Sequence, residues 1–217
     1  MHGPPNVRRK SGRPAHPIDR STLIAVASKS FAAHGYAAAS LSEIASAVGL
    51  RKASLYHHFP TKEALYFAVL DAAVGDLRQL VLEAGLEAGG FGERLDRLGA
   101  LVTAYFAAHP DAARLLTREM VGGGSYLQGP GKDEVQATLL ATSAFLEAGM
   151  DAGAFRRQDP KQLALSIVGL HFYYFAATEL AQPLLGHDVL APTAVRARKA
   201  AVRDQVRALC LAPERSR

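Results

Sequence analysis

Apolar residues recur at helical spacing along most of this chain, and alternating, β-branched-rich runs that would read as strands are missing throughout. From Ile18 to about His34 the apolar positions are Leu23, Ile24, Ala27 and Phe31, with Asp19 or Ser21 as a cap and Gly35 as a stop signal. Ser40 and Glu43 then form a capping box, in which the serine accepts a backbone N–H and the glutamate reaches back. The helix they open turns Leu41, Ile44, Ala45 and Val48 inward. Gly49 supplies a sharp turn, and Leu50, Leu55 and Phe59 pin a third helix against the first two. Pro60 ends that helix, and Thr61 caps a fourth from Lys62 to about Ala84, roughly 34 Å long at 1.5 Å per residue.

The pattern breaks at GLEAGGFG, around residues 85–92. Later helices are expected at 93–108, 111–121, 133–152, 160–181 and 192–211, with GGGSY as a flexible loop between two of them. Asp159-Pro160 with Gln162 is a strong start signal, because it combines a cap with proline at the first helical position. The fold class is all-α, without internal repeats. Residues 1–17, rich in Pro, Gly and basic side chains, read as a disordered arm, 18–62 as a three-helix unit, and 63–217 as a second helical domain.

Composition changes this picture in few places. Of 217 residues 49% are hydrophobic, enough for a sizeable core. No apolar run approaches the roughly 18 uncharged residues that span a bilayer, so no membrane partner is expected. The first seventeen residues lack the apolar segment of a secretory signal. The single cysteine, Cys210, excludes an internal disulfide framework and fits a cytoplasmic protein; it reads as a small apolar residue on the last helix. Charge is more telling. Through Lys62 nine basic residues face only Asp19 and Glu43, an excess of seven, whereas the remainder holds 16 basic and 18 acidic residues. The positive excess lies beside the short helix pair, as expected where one module meets a polyanion.

Two short helices around a glycine describe a helix-turn-helix, whose second helix enters the major groove while flanking groups hold phosphates. Here that helix carries Lys52, Ser54, Tyr56 and His57 outward. Lys52 suits a guanine edge or a phosphate, Ser54 either, Tyr56 a phosphate oxygen and His57 a base edge. His58 either joins them or packs locally. A buried helical hairpin would share the apolar pattern, but not the charge asymmetry or the basic arm.

The segment from about Leu23 to Leu70, with FAAHGY and ASLSEIASAVGLRKASLYHHFPTKEAL, resembles the DNA-binding domain of TetR/AcrR-type transcriptional regulators. Phe31, Gly35, Tyr36, Ile44, Ala45, Gly49, Leu55, Tyr56, Phe59, Lys62 and Leu65 all fall in that family's register. The resemblance implies that Ser40 and Ser42 touch phosphates, that Lys52, Ala53, Ser54 and His57 face the major groove, and that Tyr56 and Lys62 clamp the backbone. Arg51 stands where the family usually has a small capping residue; it weakens the cap and adds a cation that can itself meet DNA. Two readings fit the arm around Arg8–Arg13, a minor-groove contact or a solubilising tail.

Residues 163–181 are apolar on every side, and the last helix is amphipathic. Together they suggest a homodimer surface built from Val168, Phe172, Phe175, Val195, Val202, Val206 and Leu209. The resemblance implies the same, a two-fold four-helix interface that sets the recognition helices about one DNA turn apart on a palindromic double-stranded operator. A small-molecule pocket lined by Tyr105, Phe106, Leu116, Met120, Phe145, Leu146, His171 and Tyr174 is expected mainly from the resemblance, since each aromatic also suits a plain core.

Nothing suggests catalysis, a cofactor or a metal. Tyr126 and Asp133 stand where a phosphate-binding loop needs glycine and Ser or Thr, and the histidines are scattered. The leading expectation is a homodimeric repressor released from DNA by a small organic ligand. A DNA-binding architectural or partner-recruiting protein without an inducer is the alternative.

Overall fold

Capping side chains set several of the helix starts. In the computed structural model, which describes residues 19–211, Asp19 accepts from the Ser21 N–H at the start of α1 (Arg20–Ala38). Ser40 Oγ accepts from the Glu43 N–H at 3.4 Å to open α2 (Leu41–Ala47), the serine half of the expected box. Thr61 Oγ1 accepts from Ala64 at 3.0 Å to open α4 (Lys62–Leu86). Between them α3 (Lys52–His58) begins at Arg51, which makes no side-chain cap bond. The basic arm lies outside the described residues.

The rest is α5 (Phe91–Ala108), α6 (Pro110–Gly122), α7 (Ser125–Gln128), α8 (Gly131–Asp151), α9 (Pro160–Ala176), α10 (Thr178–Leu185) and α11 (Pro192–Cys210). Among the described residues there is no strand, and no single helix is long and apolar enough to cross a membrane.

Gly35 breaks α1 where the stop signal stood, with φ 76° and ψ 169°, and a short helical turn follows it to Ala38. Two local expectations are corrected. The helix expected across 160–181 is two helices bent by 79° at Ala177. Its second piece is anchored by tertiary contact, because the buried Thr178 hydroxyl accepts from Arg114 Nη2 at 2.9 Å. GGGSY is not a free loop: Gly123 ends α6 with φ 60°, α7 follows, and Tyr126 is fully buried. A side chain on Gly124 would collide with the Glu119 carboxylate, and one on Gly131 with the Tyr126 ring.

One apolar core runs from Leu23, Phe31, Ile44, Leu55 and Phe59 into Leu65 and Leu70 of α4, then on to Phe106, Leu115, Tyr126 and Phe175. Each fully buried Leu or Phe contributes about 1.5–3 kcal/mol, and the three-helix unit shares this core with α4 and α6. A second core joins Leu95, Phe145, Leu146, Phe155, Leu163, Ile167, Val202, Val206 and Cys210.

That second core overturns most of the expected dimer surface. Val202 and Val206 are only 1% and 4% exposed, and Leu209 packs beside them. The amphipathic side of α11 is satisfied within its own protomer, held on α5 by a bidentate ion pair in which Arg207 Nε and Nη2 donate to Asp96 at 2.6–3.0 Å. Phe175 is buried against Phe106, and Val195 is half-buried. Val168 and Phe172 face an internal cavity instead. What α9 and α10 leave exposed is a different set: Leu165, Tyr173 (68%), Leu180 and Leu184 (84%).

Candidate functional site

The turn between α2 and α3 is built as the glycine predicts. Gly49 has φ 72°, a left-handed conformation that other residues adopt at a cost, and Leu50 returns its N–H to the Ala45 carbonyl at 2.8 Å. Leu55 and Phe59 are buried beneath α3, and the Arg20 guanidinium lies 4.9 Å from the Phe59 ring. With its underside so fixed, α3 holds Arg51, Lys52, Ala53, Tyr56 and His57 in solvent, with Ser54 half-buried. His58 is exposed too, so it does not pack locally.

Ser42 is exposed at the start of α2. The Ser40 oxygen accepts the cap bond, which leaves its O–H free to donate. Lys62 is more committed than expected: its Nζ donates to the Ala37 carbonyl at 2.9 Å and lies 5.2 Å from the Tyr36 ring. It locks the end of α1 to the start of α4, beside Tyr36, which the family register already marks.

Behind this unit a polar network joins α4 to α6 and α7. Tyr66 donates to Glu119 Oε1 at 2.8 Å, the Tyr126 N–H to Glu119 Oε2 at 3.2 Å, and the Tyr126 hydroxyl to Asp71 Oδ1 at 2.8 Å. Burial pushes both phenols well above their usual pKa, and the neighbouring carboxylates add to the shift, so both remain neutral donors. Arg118, next along α6, donates to the Phe31 carbonyl at 3.2 Å, where α1 approaches Gly35.

The other side of α6 meets the cavity, about 250 Å³ in volume. Val74, Leu77 and Val81 of α4 form one wall, Leu98, Gly99, Val102 and Phe106 of α5 another, and Leu116 and Met120 of α6 a third. Val135, Thr138 and Thr142 of α8 and Ile167, Val168, His171 and Phe172 of α9 close it. Met120 and Leu165 line it yet are about half exposed, which marks its mouth.

Phe106, Leu116, Met120 and His171 stand where expected; Tyr105, Phe145, Leu146 and Tyr174 do not line the cavity. Phe145 and Leu146 belong to the second core, with Phe145 packed on Phe91 and Phe155 at 5.9 and 6.3 Å. Tyr105 is half-buried beside the Asp76 carboxylate, and its partial burial and that neighbouring charge both raise its pKa. Tyr174 lies beneath Arg198, 4.6 Å from guanidinium to ring. The missed α4 residues recur at helical spacing, but that stripe reads equally as core, so the sequence held no signal for a void.

Comparison with known proteins places both halves. Residues 23–69 match the family described as bacterial regulatory proteins, tetR family, and residues 92–206 match the tetracyclin repressor-like C-terminal domain. The HTH-type transcriptional regulator RutR of Escherichia coli K12 is 27% identical over 148 residues, 68% of this chain and 69% of RutR. The crystal structure of the transcriptional regulator SCO4942 from Streptomyces coelicolor superimposes with a TM-score of 0.67 at 26% identity, covering 89% of this chain and 99% of that one. AibR, solved with isovaleryl coenzyme A and operator DNA, shares the fold at a TM-score of 0.66 and 18% identity, over 86% of this chain and 96% of its own.

Proposed function

Because the chain belongs to the TetR family of DNA-binding transcriptional regulators, we propose that it is a repressor that binds a palindromic operator as a homodimer and leaves it when a small organic molecule enters the cavity. The observation that carries this reading is the double duty of α4. Its first turns pack into the helix-turn-helix core through Leu65, Tyr66 and Leu70, and its later turns wall the cavity with Val74, Leu77 and Val81. A ligand that prefers one position of α4 thereby biases the DNA-binding unit, with a coupling of about 1–3 kcal/mol in typical cases. AibR, bound to both an acyl thioester and an operator, supports the pairing of ligand and DNA on this fold. A cavity with its mouth at Met120 and Leu165 also favours a ligand over a partner-recruiting role, which a solid core would suit better.

In this reading Arg51, Lys52, Ala53, Ser54 and His57 meet the major groove. Ser40, Ser42 and Tyr56 hold phosphates, and Lys62 chiefly positions the clamp. The two-fold interface uses the exposed stripe Leu165, Tyr173, Leu180 and Leu184.

The test is fluorescence anisotropy on palindromes drawn from DNA flanking the gene. Lys52→Ala and Tyr56→Ala should each weaken binding by roughly tenfold with the dimer intact, since one good contact is worth about 1–3 kcal/mol. Unchanged affinity in both variants sinks the DNA assignment. If no compound in a small-molecule screen weakens the wild-type complex, the inducer half is lost and the partner-recruiting alternative takes its place.

A further inference from the structure

The wall of the cavity contains one polar group that the fold leaves unsatisfied. His171 is 5% exposed, and its Nε2 has no hydrogen-bond partner among the described residues. The other ring nitrogen, Nδ1, lies 2.9 Å from the Ile167 carbonyl. A carbonyl only accepts, so Nδ1 carries the proton, and in a neutral imidazole Nε2 is then a bare acceptor. Burial favours that neutral form, against the Ile167 and Gly99 carbonyls, which pull toward the charged one.

The neighbours cannot relieve the acceptor. The Gly99 carbonyl already takes the Thr103 hydroxyl at 2.8 Å and has no proton to give. Thr142 donates its hydroxyl to the Thr138 carbonyl at 2.9 Å, and Thr138 donates to Glu134 at 2.9 Å. Each polar proton on the cavity wall is thus spent on its own helix. Gly99 also keeps the approach to Nε2 open, since it presents no side chain there, where a Cβ would come within 3.7 Å. Among the described residues no charged side chain lines the cavity, so an ionised group inside would lose its hydration without compensation. A volume near 250 Å³ is small for a ligand site.

We infer that His171 Nε2 is the acceptor that a ligand of this cavity must satisfy. That ligand is a compact, uncharged, mostly apolar molecule with one hydrogen-bond donor, such as a phenol or an alcohol. The inference rests on the ligand-binding reading above and adds the ligand's chemical class and its anchor. It also separates this cavity from one built for a nucleotide-bearing thioester, whose phosphates would find no cation in it.

Three probes of similar shape decide the matter: para-propylphenol, its methyl ether para-propylanisole, and propylbenzene, titrated calorimetrically into the full chain. The phenol should bind roughly tenfold tighter than the ether, the scale set by pairing an otherwise unsatisfied buried acceptor. In His171→Phe the preference should vanish, with the ether and the hydrocarbon binding as before. Because that variant changes a core position, nitrogen NMR of the wild type gives a second readout. The Nε2 resonance should move on adding the phenol and stay put with the ether. Equal binding of phenol and ether to the wild type, with a still Nε2 resonance, overturns the anchor and shows that water satisfies the nitrogen throughout; the cavity as a ligand site would survive. If none of the three binds, the ligand-site reading falls and this inference with it.

Discussion

The bond between Tyr66 and Glu119 ties the DNA-binding unit to the cavity-forming half, and Tyr66→Phe removes it with little else disturbed. The ring keeps its packing, 5.0 Å from the centroids of both Phe31 and Tyr36. Only the hydroxyl goes, and with it the 2.8 Å bond to Oε1 of a buried carboxylate. Oε2 retains the Tyr126 N–H, so Glu119 loses one of its two protein donors. Hydrogen bonds to charged groups contribute about 1.5–3 kcal/mol, and a buried site offers no water in exchange. We therefore expect Tyr66→Phe to cost about 1.5–3 kcal/mol. Urea unfolding followed by circular dichroism measures it, at fixed protein concentration because association adds to apparent stability. The slope with denaturant should not change, since the surface exposed on unfolding does not. In a double-mutant cycle with Glu119→Gln the two substitutions should couple by at least about 1 kcal/mol. A loss below about 0.5 kcal/mol, or additive effects, would mean instead that the carboxylate finds water and that apolar packing alone joins α4 and α6.

Other expectations follow from single sites. Burial lowers the His171 pKa from its ordinary 6.5, and the Arg198 charge works in the same direction. The unfolded chain therefore takes up this proton first, and stability is intact above about pH 6.5 and declines as pH falls through the folded value, by at most about 1.4 kcal/mol per pH unit. His171→Phe should flatten that part of a plot of Tm against pH; parallel plots would contradict it. Burial pushes the Cys210 thiol up to about 11, against the pull of Arg156, so about one thiol in ten thousand is ionised at neutral pH. A chromogenic disulfide reagent should label the urea-unfolded chain quickly and the native chain hardly at all; fast native labelling would mean that α11 opens locally. Tyr173→Asp places a charge in the proposed two-fold interface and should shift sedimentation toward the monomer, whereas an unchanged dimer would place the interface elsewhere.

The helix-turn-helix was legible nearly residue by residue, because its signals are local. A cap at Ser40, a glycine at Gly49 and buried Leu55 and Phe59 act over one or two turns, and together they decide which side of α3 is wet. Helix boundaries elsewhere were also close. The misses share a cause: they depend on which neighbour covers an apolar face. GGGSY has loop composition, yet it closes over Glu119 because Gly124 admits the carboxylate and Tyr126 finds both Asp71 and Phe67. The break at Ala177 carries neither proline nor glycine to announce it.

The amino-acid order by itself determined an all-helical chain, the DNA-reading motif and the concentration of positive charge beside it, since periodicity, capping and charge are properties of neighbours in sequence. Whether an apolar face meets its own protomer, a cavity or a second copy was decided only in three dimensions. Val206 and Leu184 are both apolar residues on helices near the end of the chain, but α5 covers the first and nothing among the described residues covers the second. A void has no signature in sequence, because it is the absence of atoms between walls that are locally indistinguishable from core. So too with His171: a buried histidine was foreseeable, but an unpaired Nε2 appears only once α5 and α9 meet.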